Sequence, residues 1–569
     1  MTTLEIRRRS ALPPYGFGGD LHPVVRRVYA GRGLCCDEDL DLSLDRLLPV
    51  GSLEGVDPAV DLLARHRQAG RVLVIGDFDA DGATSSALLV RALRALRFAH
   101  VDFLVPNRFS FGYGLTPGIV ELAATRSPTL LVTVDNGVSS VDGVEAARRL
   151  GIPVLVTDHH LPGSVLPRAA AIVNPNLAGS RFASPSLAGV GVAFYVVAAL
   201  ARSLGAEEFR PTDLLDLVAL GTVADVVPLD RNNRVLVAQG LRRIRAGRCV
   251  PGIRALLESG GRRVDRASAA DLGFAVAPRL NAAGRLTDMS LGIACLLSDE
   301  PSEAASLARQ LAGLNEERRE IEQRMQLEAV EIAAALQFSE GQESFGLCLF
   351  DRSWHQGVVG LVAGRIKDRL HRPVVAFAPA EDGTLRGSAR SIPGVHIRDA
   401  LDSIAARNPG LIEKFGGHAM AAGMTLLEAN LAEFRSAFAA EIAARADRES
   451  LTGVIHSDGE LSAAELSLDT ALALRAAGPW GQGFPEPLFD GEFQILDHRI
   501  VGGKHLKLQL RAADRPDSLD AILFGYLGGT ADQSQLQRGL RIRLAYRLEV
   551  NEYQGVERAQ LNAQQFQLA

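Results

Sequence analysis

The stretch Gly76-Asp77-Phe78-Asp79-Ala80-Asp81-Gly82 decides the fold. It follows a short apolar run, Arg71-Val-Leu-Val-Ile75, and precedes a helical pattern with Leu88, Leu89, Leu93 and Leu96 on one face. The same strand-then-polar-turn grammar recurs twice. Leu130-Leu-Val-Thr-Val134 ends in Asp135-Asn136-Gly137, and Pro153-Val-Leu-Val-Thr157 ends in Asp158-His159-His160. Strands alternating with helices predict a parallel sheet covered on both faces. In such a sheet ligands bind beyond the carboxyl ends of the strands, so all three polar segments are expected at one edge. Asp225, in Val223-Ala-Asp-Val-Val-Pro228, offers a fourth carboxylate segment.

Asp77, Asp79 and Asp81 alternate, and in an extended segment they would share one side. Carboxylates gathered together repel one another unless cations sit between them. Carboxylates with a histidine suit Mn²⁺ or Mg²⁺, the histidine favouring Mn²⁺. Two such ions about 3.5 to 4 Å apart activate water and stabilise an in-line phosphoryl displacement. The ordinary alternative is that Asp-Gly and Asn-Gly mark turns and that aspartate caps helices. Three acidic strand ends in succession argue against it. A calcium loop of the EF-hand type is disfavoured, because Leu88 stands where the closing glutamate belongs.

The chain has 569 residues, a hydrophobic fraction of 47% and a formal net charge of −6. It is long enough for about three or four domains. That charge excludes a protein that coats nucleic acid by bulk positive charge, though not a local basic groove. Five cysteines without a C-x-x-C pair argue against a disulfide framework or a thiolate zinc site. No apolar run reaches the roughly 18 to 20 residues of a membrane span, and no signal-peptide core follows Arg7-Arg8-Arg9. A cytoplasmic protein without membrane contact is expected.

Further motifs place the remaining chain. Residues 1–50 look like an N-terminal extension wrapped on the segment next in the chain. Glu303 to Leu336 reads as one amphipathic helix joining two lobes. Residues 341–450 return to α/β character and contain Arg386-Gly-Ser-Ala-Arg390 and Gly416-Gly-His418. Beyond Val454 the signal is β: His505 to Arg511 and Arg541 to Leu548 alternate strictly, which suggests a small barrel. Lys507 and Arg511 share one strand face and Arg541 and Arg543 another, as expected of a barrel that tracks a single strand. Residues 451–569 hold 11 Lys+Arg against 15 Asp+Glu, so any basic stripe there is local.

The ordered motifs resemble the DHH phosphoesterase superfamily, and within it the exonucleases specific for single strands. They are Asp77 to Gly82, Val134 to Gly137, Asp158-His159-His160, Gly221-Thr-Val-Ala-Asp225, Pro278-Arg-Leu-Asn-Ala-Ala-Gly-Arg285, Arg386 to Arg390 and Gly416 to His418. The resemblance implies an α/β chain in five parts: extension 1–50, DHH catalytic domain 51–300, connecting helix 301–340, a smaller DHHA1 domain 341–450 and an OB-like barrel 451–569. It implies two Mn²⁺ or Mg²⁺ ions on Asp79, Asp81, Asp135, His159 and Asp225, with Asp135 bridging. His160 would meet the scissile phosphate or assist the leaving group, and Asp158 would orient the histidines. Many superfamily members carry a metal-binding histidine where this chain has Ile75, so Asp77 or water is expected to substitute.

Substrate contacts are expected from Arg108 and Tyr113, from Arg279, Asn281 and Arg285 in a polar glycine-containing loop, and from Ser388, Arg390, Gly417 and His418 around a 5′-phosphate. The implied activity is degradation of single-stranded DNA from its 5′ end to mononucleotides, in repair and recombination. A single-strand-binding protein and a repair helicase are the implied partners. Two rivals remain at this point: a superfamily phosphodiesterase for short oligonucleotides or cyclic dinucleotides, and a catalytically inactive single-strand-binding scaffold.

Overall fold

The computed structural model describes residues 5–9, 16–106, 111, 113–340, 345–380, 383–446, 450–513, 515–526 and 536–568, with backbone alone for 336–340. The chain divides into two compact units. One contains residues 34–316 and 478–486, the other residues 1–33, 317–477 and 487–569. No helix among the described residues is long and apolar enough to cross a membrane.

The first unit is built on a five-stranded sheet in the order His100–Leu104, Arg71–Ile75, Leu130–Val134, Val154–Thr157, Ala171–Val173. Every pair is parallel. The central strands are apolar on both faces, as helices on both sides require: Val74, Ile75, Val132 and Val156 are all fully buried. The chain leaves Arg71–Ile75 first to one side and then to the other, which opens the crevice at the end of that strand. The helix Ala80–Ala95 begins there and is buried almost all round. Small residues make this packing possible: Ala83, Thr84, Ser85, Ser86 and Ala87 let the neighbouring helices close on it.

The second unit holds a five-stranded mixed sheet in the order Lys414–Gly417, Ala421–Leu427, Thr384–Arg390, Val374–Pro379, Leu347–Phe350. It also holds a closed five-stranded barrel, Phe489–Val501, His505–Ala512, Leu519–Leu523, Val556–Leu568 and Arg541–Tyr553. The strict alternation of His505–Ala512 is realised: Leu506, Leu508 and Leu510 are buried while Gln509 and Arg511 face out. The expected long helix runs from Pro301 to Glu340 and passes from one unit into the other.

The N-terminal extension departs from expectation. Its strand Glu5–Arg8 pairs in parallel with Val454–Ser457, far along the chain, instead of lying on the segment next to it in sequence. A buried carboxylate locks this pairing. Asp490 is fully buried and accepts from Arg8 Nη2 at 2.9 Å, Arg543 Nη2 at 2.8 Å and Ser457 Oγ at 2.5 Å. Burial opposes its ionisation, but those donors outweigh it and hold its pKa near 2. Removing Asp490 strands the donors, so Asp490→Ala should lower the stability of this unit by about 1 to 3 kcal/mol in denaturant unfolding. The depressed pKa sets the sign with pH. The stabilisation is present above the unfolded value of 3.8 and is lost as pH falls towards 2.

Candidate metal centre

Three strand ends and one helix end deliver the acidic side chains to a single point. Asp79 caps the helix Ala80–Ala95, its Oδ1 accepting from Gly82 N at 2.9 Å. The extended arrangement expected for Asp77, Asp79 and Asp81 is therefore not found: the helix starts at Ala80, and Asp81 already lies in its first turn. The three aspartates divide between two groups. Asp77 and Asp79 gather with Asp135, whereas Asp81 gathers with His159 and Asp225. Asp135, His159 and His160 form a third group, and within each group the ligating atoms lie within 4.8 Å of one another. Asp135 and His159 thus belong to two groups each, as a bridging position requires. Asp225 arrives as the C-cap of the helix Leu215–Ala224.

Glycines make this convergence sterically feasible. A Cβ on Gly189 would lie 2.7 Å from Asp135 Oδ1, one on Gly221 2.7 Å from Asp81 Oδ1, and one on Gly284 1.8 Å from Phe78 O. Sequence reasoning did not assign these glycines to the site, although two lie inside motifs it had singled out. Asp135 itself has φ of +60°, a backbone state rare outside glycine and asparagine, which turns its side chain inward at the strand end. Asn136 ties two strands together there, donating to Ile75 O at 3.2 Å and Val134 O at 2.9 Å.

The electrostatics are those of a site built for cations. Burial and then the neighbouring aspartates push Asp135 and Asp225 well above the usual carboxylate range. Asp81 rises to about 7, even though Gly189 N and Val190 N donate to its two oxygens at 2.7 and 3.0 Å. Burial and then the charge of His160 lower His159 to about 4, so its ring is neutral. The Nε2 of His159 is buried without a hydrogen-bond partner, 3.1 Å from Asp135 Oδ1 and 3.4 Å from Asp225 Oδ2. Asp135 Oδ1 is likewise buried without a partner. A neutral imidazole lone pair facing two carboxylates is repulsive until a divalent ion enters, so the residues present fit Mn²⁺ or Mg²⁺. Ile75 is fully buried and Asp77 stands in the cluster beside it, matching the expected substitution.

His160 differs from His159. Burial works against its charge, but the bond from Nδ1 to Asp158 Oδ1 at 2.8 Å and the surrounding carboxylates lift its pKa to about 9. Asp158 is buried and also accepts from Val138 N at 2.8 Å and His160 N at 3.0 Å, which fixes it as the orienting group. Tyr113 lies over the pair, its hydroxyl 3.3 Å from His160 Nε2 and its ring edge-on to the imidazole.

Several expected substrate residues are placed otherwise. Pro278 to Arg285 forms the helix Ala277–Leu286 and not a loop. Asn281 Oδ1 accepts from Ala80 N at 2.8 Å, so this residue braces the acidic turn. Arg279 is turned inward, donating to Ala275 O and Ser259 O. Arg285 stands in the last turn of the same helix. Arg108 lies outside the described residues.

In the second unit, Ser388 and Gly416 flank Gly423 across three adjacent strands. Arg390 Nη1 donates to Ser388 Oγ at 2.8 Å, and His418 is exposed one residue beyond Gly417. Gly417 has φ of +147°, and a Cβ there would meet Ala421 O at 2.3 Å, so glycine is required. On the barrel, Arg511 and Arg541 are exposed and flank Gln494 across three strands. Lys507 and Arg543 are instead committed to Asp520 at 2.9 Å and Asp490 at 2.8 Å, which removes half of the expected basic stripe.

The parallel sheet with aspartates and paired histidines at its strand ends defines a metal-dependent phosphoesterase of the DHH type. Family models agree: the DHH family N-terminal domain matches residues 71–222, the DHHA1 domain 343–444 and the RecJ OB domain 457–565. The chain is 50% identical to the single-stranded-DNA-specific exonuclease RecJ of Escherichia coli, with 97% of each chain covered. It is 50% identical to the Haemophilus influenzae protein of the same name, with 98% of each covered. A crystal structure of Thermus thermophilus RecJ in complex with Mn²⁺ superposes with a TM-score of 0.79 at 31% identity, covering 96% of this chain and 76% of that one. A Mg²⁺ complex of the Thermus protein gives 0.74 at 30% identity, covering 96% and 75%. The chain belongs to the RecJ family of single-stranded-DNA-specific exonucleases.

Proposed function

We propose that this single-stranded-DNA-specific exonuclease starts at the 5′ end and releases mononucleotides, with water as the attacking group. The observation that carries the reading is the convergence of Asp77, Asp79, Asp81, Asp135, Asp225 and His159 into overlapping groups of ligating atoms. These residues would hold two Mn²⁺ or Mg²⁺ ions, which lower the pKa of water and neutralise charge on the phosphoryl oxygens. Asp135, shared between groups, keeps the two positions together. His160, positively charged at neutral pH through Asp158, faces a non-bridging phosphoryl oxygen or gives its proton to the departing 3′-oxygen. Tyr113 closes one side of that histidine and offers a ring to the terminal base.

Recognition of the 5′-phosphate is assigned to the exposed sheet face of the second unit. Gly416 and Gly423 leave it without side chains beside Ser388 and Arg390, so a phosphate can approach the strands closely. Arg390→Gln is expected to raise KM for 5′-phosphorylated strands by about ten- to a hundredfold, with little effect on strands bearing a 5′-hydroxyl. Arg511 and Arg541 support a track for the outgoing strand along the barrel.

The reading extends to a cytoplasmic site of action and to a single-strand-binding protein or repair helicase as partners, supported by family membership alone. The direct test uses a long single strand labelled at its 3′ end, with a blunt duplex beside it, in Mn²⁺. A descending ladder from the single strand alone is the expected result. Intact strands together with rapid cleavage of dinucleotides would replace this reading with a small-substrate phosphodiesterase.

A further inference from the structure

A second charged feature of the catalytic unit lies outside the metal centre. Residues 242–266 contain eight arginines against only Glu258 and Asp265, in a chain whose formal net charge is −6. The segment folds as the end of the helix Arg231–Arg245, the helix Pro251–Ser259 and the turn Val264–Arg266. Between them lies an open concavity of about 520 Å³, walled by Arg245, Arg254, Arg262 and Arg263. That is within the range of ~300 to 1,000 Å³ usual for ligand sites.

The guanidinium groups are held in position at this wall. Arg245 Nε donates to Ala267 O at 2.7 Å and Arg254 Nη2 to Gly247 O at 3.0 Å, and carbonyl acceptors orient a guanidinium without neutralising it. Arg263 clasps Asp265 at 2.7 Å and Arg262 reaches Asp271 at 3.2 Å, so part of the charge is balanced. The wall contains no aromatic residue. It therefore recognises charge and not bases.

The metal centre explains why such a feature is needed. Its own carboxylates repel a polyanion, so a strand must be gripped by cations elsewhere on the same body. The concavity is tied to the centre by one bonded path. Arg279 donates to Ser259 O at the end of the Pro251–Ser259 helix, and its own helix supplies Asn281 to the acidic turn.

We propose that this arginine-lined concavity is a phosphate-binding subsite for the sugar–phosphate backbone of a single strand beyond the scissile bond. The proposal rests on the nuclease reading above, and equilibrium binding keeps the two separable. In EDTA, where no cleavage occurs, affinity is measured against salt for a strand of about 40 nucleotides, several times the ~4 to 16 covered by one OB fold. Arg245→Gln with Arg254→Gln removes two cations while keeping hydrogen-bonding side chains. The salt slope for the long strand is expected to shrink by about 1.4 log units per log unit, two contacts at ~0.7 each for single strands. Dinucleotide cleavage in Mn²⁺ should be unchanged, which also reports that the double variant is folded. An unchanged slope overturns the proposal. So does an acidic peptide that binds the wild type, fails to bind the variant and leaves strand affinity untouched, because the concavity would then be a protein-docking site. Loss of cleavage by the wild type itself would overturn the nuclease reading and leave the binding result standing.

Discussion

Asp135→Asn protein should lose at least about 10³-fold in turnover on single-stranded DNA, yet its metal-free form should melt higher than the wild type. Asp135 is buried, belongs to two ligating groups and faces Asp77, Asp79, Asp81 and Asp225. Without metal those carboxylates oppose one another, and asparagine relieves the repulsion while keeping shape. The sign with pH comes from the raised pKa values. A carboxyl lifted from 3.8 to about 7, as Asp81 is, stabilises the fold fully below 3.8 and loses that contribution as pH rises through 7. Metal-free wild type should therefore weaken across that interval, and the variant should weaken less. Mn²⁺ at a hundredfold excess over its Kd should add about 2.7 kcal/mol to the wild type. Thermal melts with and without Mn²⁺, run beside a turnover assay, check all three parts. A folded variant with wild-type turnover, or with the full Mn²⁺ shift, would sink the assignment of Asp135 as the shared ligand.

Asp158→Asn is expected to lower turnover by about 10² to 10⁴-fold near pH 8 while leaving most of the Mn²⁺-induced thermal shift in place. Asp158 Oδ1 accepts from His160 Nδ1 at 2.8 Å and is the main reason that His160 stays charged to about pH 9. An amide cannot hold that proton, so the histidine returns towards 6.5 and the alkaline limb of activity moves down with it. The pair also contributes stability that is complete below 6.5 and disappears as pH rises through about 9. His160→Gln should match the loss in turnover without the shift of the limb, because no titrating ring remains. A pH–rate profile that is unmoved in Asp158→Asn would show that the carboxylate does not tune His160.

Much of the site could be read from the chain because local rules fix it. Each acidic segment comes directly after a strand of four or five apolar residues, and a parallel sheet puts such strand ends at one edge whatever else folds around them. The strands Arg71–Ile75 and Leu130–Val134 were found at their observed bounds, and the alternation of His505 to Arg511 gave the barrel wall directly. Motifs with fixed order identified the family for the same reason: they are short and their chemistry is local.

What failed in the sequence reading depends on partners remote in the chain. A period of two placed Asp77, Asp79 and Asp81 on one side, but the helix start at Ala80 overrode it and sent Asp81 to a different group. Arg279 and Asn281 looked like substrate contacts because polar residues beside glycine suggest a loop. Only packing shows that Gly284 admits the backbone of Phe78 and that Asn281 bonds the acidic turn. The charges of Lys507 and Arg543 were legible; Asp520 and Asp490, which engage them, were not.

The chain by itself thus determined the sheet, its acidic edge and the class of ion that edge accepts, because apolar periodicity and residue chemistry act over a few neighbouring positions. Tertiary structure alone decided which aspartates share an ion, that His159 is neutral while His160 is charged, and that Glu5–Arg8 closes on Val454–Ser457. Burial, like-charge repulsion and strand pairing are properties of distances between segments, and those distances exist only once the chain has folded.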